Sequence, residues 1–218
     1  MANRQLLQPR KTTQELLPWK QAYLAGWVKR RLGSVAHEQR VTRVALALFD
    51  LTVDLHSLGK PERRILEMAA MAHDVGRSID DDGHEKHGAA MVMEEDALPL
   101  GETERRRVAF LVRYHKGRLA DRGDEQFLAD ADDRDALRIL LALLRAADAL
   151  DSRWLEGPRL IMSLRGRCLH ILGYVARDLD RARRIYGKKR KKFRVLEDEL
   201  GLETEIEWRR SEALRLVA

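Results

Sequence analysis

The residues of this chain best suited to chemistry are histidines and aspartates set among apolar neighbours. There are seven histidines. His37 lies four residues before Val41 and seven before Val44, so on a helix it shares their apolar face. His73 follows Ala69 and Ala70 at four and three residues, and Asp74 adjoins it. Asp148 stands four residues after Leu144, inside a nearly continuous apolar run. A carboxylate buried there is costly unless it meets a cation or several donors. A metal ion with imidazole and carboxylate ligands resolves that cost. Singly, each residue has a plainer reading: a hydrogen-bonded core histidine, or a carboxylate paired with Arg145 or Arg153. The ordered set, with His on one helix, His-Asp ending the next and Asp near the end of a later one, points to a metal centre.

Helices must carry these residues. Thr12 or Thr13 begins the first, with Pro18 near its first turn, and it runs through Trp19, Tyr23 and Trp27 to Leu32. Gly33 ends it. Ser34 caps a second, whose buried face is Val41, Val44, Ala45, Leu48, Leu51 and Leu55, closing at Gly59. Pro61 opens a third, through Ile65, Leu66, Ala69 and Ala70 to His73, with Gly76 as its stop. Ser78 to Gly83 is an acidic loop. A short helix follows from His84 to Glu95, another from Thr103 to near Gly117, and an irregular stretch from Leu119 to Asp130. Asp132 or Asp133 caps a long helix from Arg134 to Ser152. Past Gly157-Pro158 the pattern changes to two strands around Gly166, a basic helix from Asp178 to Leu200 weakened at Gly187, and a last strand at Thr204, Ile206 and Trp208. The expected fold is mainly α: a helical bundle over 1–156, with an N-terminal helical extension from about 12, and a small β-β-α-β appendage over 157–218.

Composition narrows the function. Charged residues make up 35% and apolar residues 44%, which suits a folded, helix-rich protein rather than a disordered one. The single cysteine, Cys168, excludes an internal disulfide and a thiolate zinc cluster. Met1 to Gln14 lacks the apolar core of a signal peptide, and Arg145 interrupts the apolar stretch Ile139 to Ala147, so no membrane association is expected and the location expected is cytoplasmic. The net charge of +6 attracts polyanions, or merely keeps the surface soluble.

Three segments carry a family resemblance: "AHEQRV", "MAHDVGR" and "LLRAADALD". With them the chain resembles the HD superfamily of metal-dependent phosphohydrolases. It is most similar to the C-terminal HD-like region of exopolyphosphatases and guanosine pentaphosphate phosphatases, through "HDVGRSIDDDGHEKHGAAMV", "VAFLVRYHKG" and "LLALLRAADALDSR". The strand-strand-helix-strand tail is also similar. The N-terminal ATPase-fold domain of those proteins, which carries their polyphosphate chemistry, has no counterpart here, so their name does not transfer.

The resemblance implies a bundle holding one or two divalent transition-metal ions (Mn, Fe, Ni, Co or Zn). His37, His73, Asp74 and Asp148 match the superfamily's ligand positions. "KHGAA" around His87 and "YHKGR" around His115 look like the extra ligands of binuclear members. His84 and His87 lie three apart, and His87 is the preferred ligand, with His84 capping its helix or in solvent; His56 and His170 take no role. Asp74 would bridge the two ions and, with His73, carry the catalytic role in hydrolysis of a phosphate ester or anhydride by an activated water. Arg145, three residues from Asp148, is the first candidate to bind substrate phosphate, with Arg77, Lys86, Arg113 and Lys116 beside it. The basic run Lys188, Lys189, Arg190, Lys191 and Lys192 suits a polyanion such as polyphosphate or RNA. Two readings stay open: an enzyme acting on a nucleotide or other phosphorylated small molecule, or a non-catalytic polyanion-binding or regulatory module. A homodimer is compatible with either. A site tuned to RNA ends or cyclic phosphodiesters is the third reading.

Overall fold

The computed structural model describes residues 18–119, 133–151 and 157–211. The chain is mainly helical with a small three-stranded sheet near its C-terminus, as the periodicity leads one to expect. Helix α1 is Pro18–Leu32, α2 Ala36–Leu51, α3 Val53–His56 and α4 Lys60–Ala72. A 3-10 turn, Val75–Ser78, leads to α5 (His84–Glu94), α6 (Glu102–Tyr114) and α7 (Asp133–Leu150). Strands β1 (Arg159–Arg165) and β2 (Cys168–Val175) precede α8 (Leu179–Lys189), α9 (Lys191–Leu200) and β3 (Glu203–Arg210). The helix start expected at Thr12 or Thr13, the segment from 120 to 132 and the helix end at Ser152 fall outside the described residues.

Helix α7 is the axis of the bundle. Leu140, Leu141, Ala142, Leu143, Leu144, Ala146, Ala147, Ala149 and Leu150 are all buried. A helix apolar all round must be surrounded, and α7 packs against α2, α4 and α6 as well as α8 and α9. Among the described residues no helix is long and apolar enough to cross a membrane.

Local signals set where the helices begin and break. Ser34 Oγ accepts a hydrogen bond from the Ala36 N–H, and Glu62 accepts from the Gly59 N–H at the start of α4. The single helix expected to run to Gly59 is divided at Thr52, whose hydroxyl donates back to the Leu48 carbonyl at 2.8 Å. Such back-bonding competes with the backbone ladder and bends helices. Asp178 caps α8, its side chain accepting from the Arg181 N–H. The break in the basic helix comes at Arg190 between α8 and α9, not at Gly187, which sits within α8.

The sheet order is β1-β2-β3, with β1 and β2 antiparallel and β2 and β3 parallel. The parallel pair requires a crossover, and α8 and α9 provide it. Gly173 faces Trp208 across the β2–β3 register. A Cβ on Gly173 would stand 2.1 Å from the indole, so only glycine lets Trp208 lie across β2 and stack on Tyr186, with ring centroids 3.7 Å apart. That packing seats α8 on β3, while α9 lies against α7.

Candidate metal centre

Six residues meet where helix ends converge. His37 is in the first turn of α2, and His73 and Asp74 directly follow α4. His84 opens α5, His115 follows α6, and Asp148 is in the last turn of α7. His73 and His84 are fully buried, and His37, Asp74 and His115 nearly so. Gly76 makes the approach of α5 possible. A Cβ there would lie 2.1 Å from the His84 carbonyl oxygen and 2.4 Å from the Gly88 N, so a side chain at Gly76 would push α5 away from Asp74.

The hydrogen bonds of the four histidines define their tautomers. The Nδ1 of His73 is 2.8 Å from the Ala70 carbonyl, that of His84 2.8 Å from the Asp81 carbonyl, and that of His115 2.7 Å from the Val112 carbonyl. The His37 Nδ1 is 2.7 Å from Asp151 Oδ2. Carbonyl and carboxylate oxygens only accept, so each Nδ1 carries the proton and each Nε2 presents a lone pair. Burial pushes the His115 imidazole pKa down, against the pull of Asp74, which favours the neutral ring.

Every one of these lone pairs faces an aspartate. Asp74 Oδ2 is 3.7 Å from both His37 Nε2 and His73 Nε2. Asp74 Oδ1 is 3.1 Å from His84 Nε2 and 3.5 Å from His115 Nε2. Asp148 Oδ1 lies 3.8 Å from His37 Nε2 and 4.0 Å from His73 Nε2. His73 Nε2 is buried with no hydrogen-bond partner, and His84 Nε2 sits 3.4 Å from His115 Nε2. Acceptors packed against acceptors are an arrangement that a cation between them would relieve. The donor atoms of His37, His73 and Asp74, and of Asp74, His84 and His115, lie within 4.8 Å of one another in each group. Both groups share Asp74, one through each oxygen, and each could hold a metal ion.

Electrostatics keep the carboxylates charged. Burial raises the Asp74 carboxyl pKa, and positive charge on His73, His115 and His84 would hold it far below the usual range, as a cation bound among their neutral rings would. Asp148 is likewise held down against burial by Lys192, His73 and Lys189. Arg77 Nε lies 2.9 Å from Asp74 Oδ2 and its guanidinium also pairs with Asp81.

Several sequence expectations need correction. His84, not His87, faces Asp74, and His87 is only partly buried. Gly88, the residue that touches Gly76, is four residues after His84 and shares its face, a signal present in the sequence. Arg145 is turned to the end of α6: its two terminal nitrogens donate to the Tyr114 carbonyl at 2.7 Å and the Gly117 carbonyl at 3.0 Å. It satisfies backbone acceptors at the end of α6. Lys86 and Lys116 are exposed, and Arg113 lies over the Tyr114 ring, 3.9 Å from Glu85. The basic run is not one surface. Lys188 and Lys191 are exposed, Arg190 pairs with Glu197 at 2.7 Å, and Lys189 and Lys192 turn inward to Asp148. Asp151, to which the sequence reading assigned no role, is buried and accepts from both His37 and Arg40. A separate group, Cys168, His170 and Glu205, lies on the outer face of the sheet. There His170 Nδ1 pairs with Glu205 at 2.8 Å, and burial with Glu205 and Glu203 pushes the thiol pKa up.

Residues 34–157 match the family model for Ppx/GppA phosphatase, domain III. The chain belongs to this family. A search of curated proteins found no match to it. The part shared with Ppx/GppA domain III contains all six converging residues and Asp151. The sheet, α8 and α9 lie beyond the matched residues, so Lys189 and Lys192 reach the domain III site from outside it.

Proposed function

We propose that this chain is a metal-dependent phosphohydrolase of the HD type, hydrolysing a nucleotide or other phosphate ester or anhydride. The observation that carries this reading is the set of four imidazole Nε2 lone pairs converging on Asp74 and Asp148, with His73 Nε2 buried and without a hydrogen-bond partner. His37, His73, Asp74 and Asp148 would hold one ion, and Asp74, His84 and His115 a second. Bound there, the ions would supply positive charge to phosphoryl oxygens and lower the pKa of a water at the site.

The protein's own residues supply the rest. The carbonyls of Ala70, Asp81 and Val112 fix three rings, and Asp151 fixes the fourth, as outer partners of metal-binding histidines do. Arg77 holds the Asp74 carboxylate from outside. Substrate would enter on the side of Asp148, the least buried of the six. The helical part, 1–156, would then carry the chemistry, with 157–218 as an appendage closing over the entrance.

Metal analysis of purified protein, followed by a hydrolysis screen over nucleotides and polyphosphate with Asp74→Ala as the control, tests the reading. Turnover that needs added metal and vanishes in Asp74→Ala supports it. A second reading, a polyanion-binding module without catalysis, draws on the exposed Lys188 and Lys191. It requires RNA or polyphosphate binding that survives Asp74→Ala, with no turnover in the wild type.

A further inference from the structure

The outer face of the small sheet carries a second set of ligand side chains, and this set includes the chain's one thiol. Strand β2 alternates: Leu169, Ile171 and Val175 are buried, so Cys168 and His170 lie together on the opposite face. On β3, Thr204 and Trp208 are buried, and Glu203, Glu205 and Glu207 are exposed. The parallel register sets Cys168 beside Glu203 and His170 beside Glu205. One ligand atom each from Cys168, His170 and Glu205 lies within 4.8 Å of the others, and His170 Nδ1 is 2.8 Å from Glu205 Oε2. A tetrahedral zinc ion, with bonds of about 2.0–2.3 Å, needs such ligands about 3.3–3.6 Å apart. Small side-chain rotations therefore suffice.

Exposed carboxylates often gather without an ion, but only one of these three groups is a carboxylate. The thiol and the imidazole are partly buried. Burial, Glu205 and Glu203 together keep the thiol protonated, which disfavours a nucleophilic or redox role for it. The same negative surroundings attract a divalent cation, and a metal that binds the sulfur releases the thiol proton to solvent. The donor set then selects the ion. Calcium and magnesium take oxygen ligands, whereas one thiolate with imidazole and carboxylate suits zinc. A fourth position is left to water or to Glu203.

We propose that Cys168, His170 and Glu205 form a zinc-binding site on the outer face of the sheet, clamping β3 to β2. Strand β3 is an edge strand, paired on one side only, so an ion bridging the two strands fastens it. This site is independent of the helix-end centre and of the function proposed for that centre. It lies beyond the residues matched to domain III, and it offers a thiolate where the helix-end centre offers none.

The test adds cobalt(II), an optical stand-in for zinc, to the full chain kept reduced with a phosphine. Cys168 is the only cysteine, so a thiolate-to-cobalt charge-transfer band in the near ultraviolet reports this site and is blind to the helix-end centre. Wild type should show the band, saturating at one thiolate-bound ion per chain and bleached by zinc, and Cys168→Ser should lack it. His170→Ala and Glu205→Gln should each weaken cobalt binding at this band by more than about 10-fold, since even the outer partners of a metal ligand are worth that much. The His170 and Glu205 side chains are 36% and 69% exposed, so both variants should fold, which circular dichroism checks. Glu207→Gln, which removes an exposed carboxylate paired with Arg209, is the control and should keep the band. Zinc should also raise the melting temperature of wild type more than that of Cys168→Ser, because a ligand bound only by the folded state stabilises it. Absence of the band in reduced wild type overturns the proposal. A band of unchanged affinity in a folded His170→Ala or Glu205→Gln overturns the three-ligand site, leaving a surface thiol. Equal zinc shifts in wild type and Cys168→Ser overturn the clamp.

Discussion

Asp151 offers the sharpest test of how the site is held. Its Oδ2 lies 2.7 Å from His37 Nδ1, and Arg40 Nε is 2.9 Å from Oδ1; the His37 and Asp151 side chains are only 5% and 2% exposed. Burial would raise the Asp151 carboxyl, but the hydrogen bonds from His37 and Arg40 outweigh it and keep it ionised. In Asp151→Ala the imidazole N–H of His37 loses its acceptor in a place water barely reaches. An unsatisfied buried group costs about 1–3 kcal/mol, and the ring can recover it only by turning its Nε2 away from Asp74. Outer partners of metal-bound histidines are worth about 10- to 100-fold in metal affinity, which is the same range at about 1.4 kcal/mol per factor of ten. Manganese affinity should fall by that much in Asp151→Ala. It should fall less in Asp151→Asn, where an amide oxygen can still accept from His37 but the charge is gone. Titration of metal-free protein with manganese, read by the rise in melting temperature and by direct binding, gives the number. Asp198→Ala, which removes an exposed carboxylate on α9, is the control and should behave as wild type. Wild-type manganese affinity in Asp151→Ala would refute the argument that this carboxylate orients His37.

His84→Ala should lose one of two metals while His87→Ala keeps both; metal counts on the two variants decide between the histidines. Gly76→Ala should destabilise the protein by about 3 kcal/mol, the upper end of overpacking costs, because the added methyl would strike the backbone of α5; denaturant unfolding measures it. His56 accepts from the Leu58 N–H through Nδ1 and contacts the Phe49 carbonyl through Nε2, so it is bound as the neutral ring, and burial lowers its pKa against the opposing pull of Phe49 and Asp50. The unfolded chain then takes up this proton first. The contribution is full above about pH 6.5 and shrinks as pH falls below it, so metal-free His56→Ala should lose less stability than wild type between about pH 7 and pH 5.

The helical bundle and the sheet with its crossover were legible because periodicity records burial. Asp148 stood out for the same reason, as a charge inside an apolar run. What spacing could not supply was facing. Residues 84 and 87 are both near the start of α5, and the contact between Gly76 and Gly88 chooses His84. Arg145 shares a helix side with Asp148 in sequence, but the free carbonyls at the end of α6 claim its guanidinium. Lys189 and Lys192 belong to what reads as one basic run, and only the bend at Arg190 turns two of its members toward a carboxylate about 40 residues earlier in the chain. These are tertiary choices, and the local pattern carries no record of them.

The central claim is that Asp74 joins two clusters of imidazole lone pairs into a centre for two metals. Elemental analysis of wild-type and Asp74→Ala protein, each supplemented with manganese and freed of loosely held ions, tests it most directly. The account predicts about two ions per wild-type chain and none held tightly by the variant, with helical circular dichroism retained in both. A wild-type chain without stoichiometric metal, or an Asp74→Ala chain that still holds two ions, would contradict it.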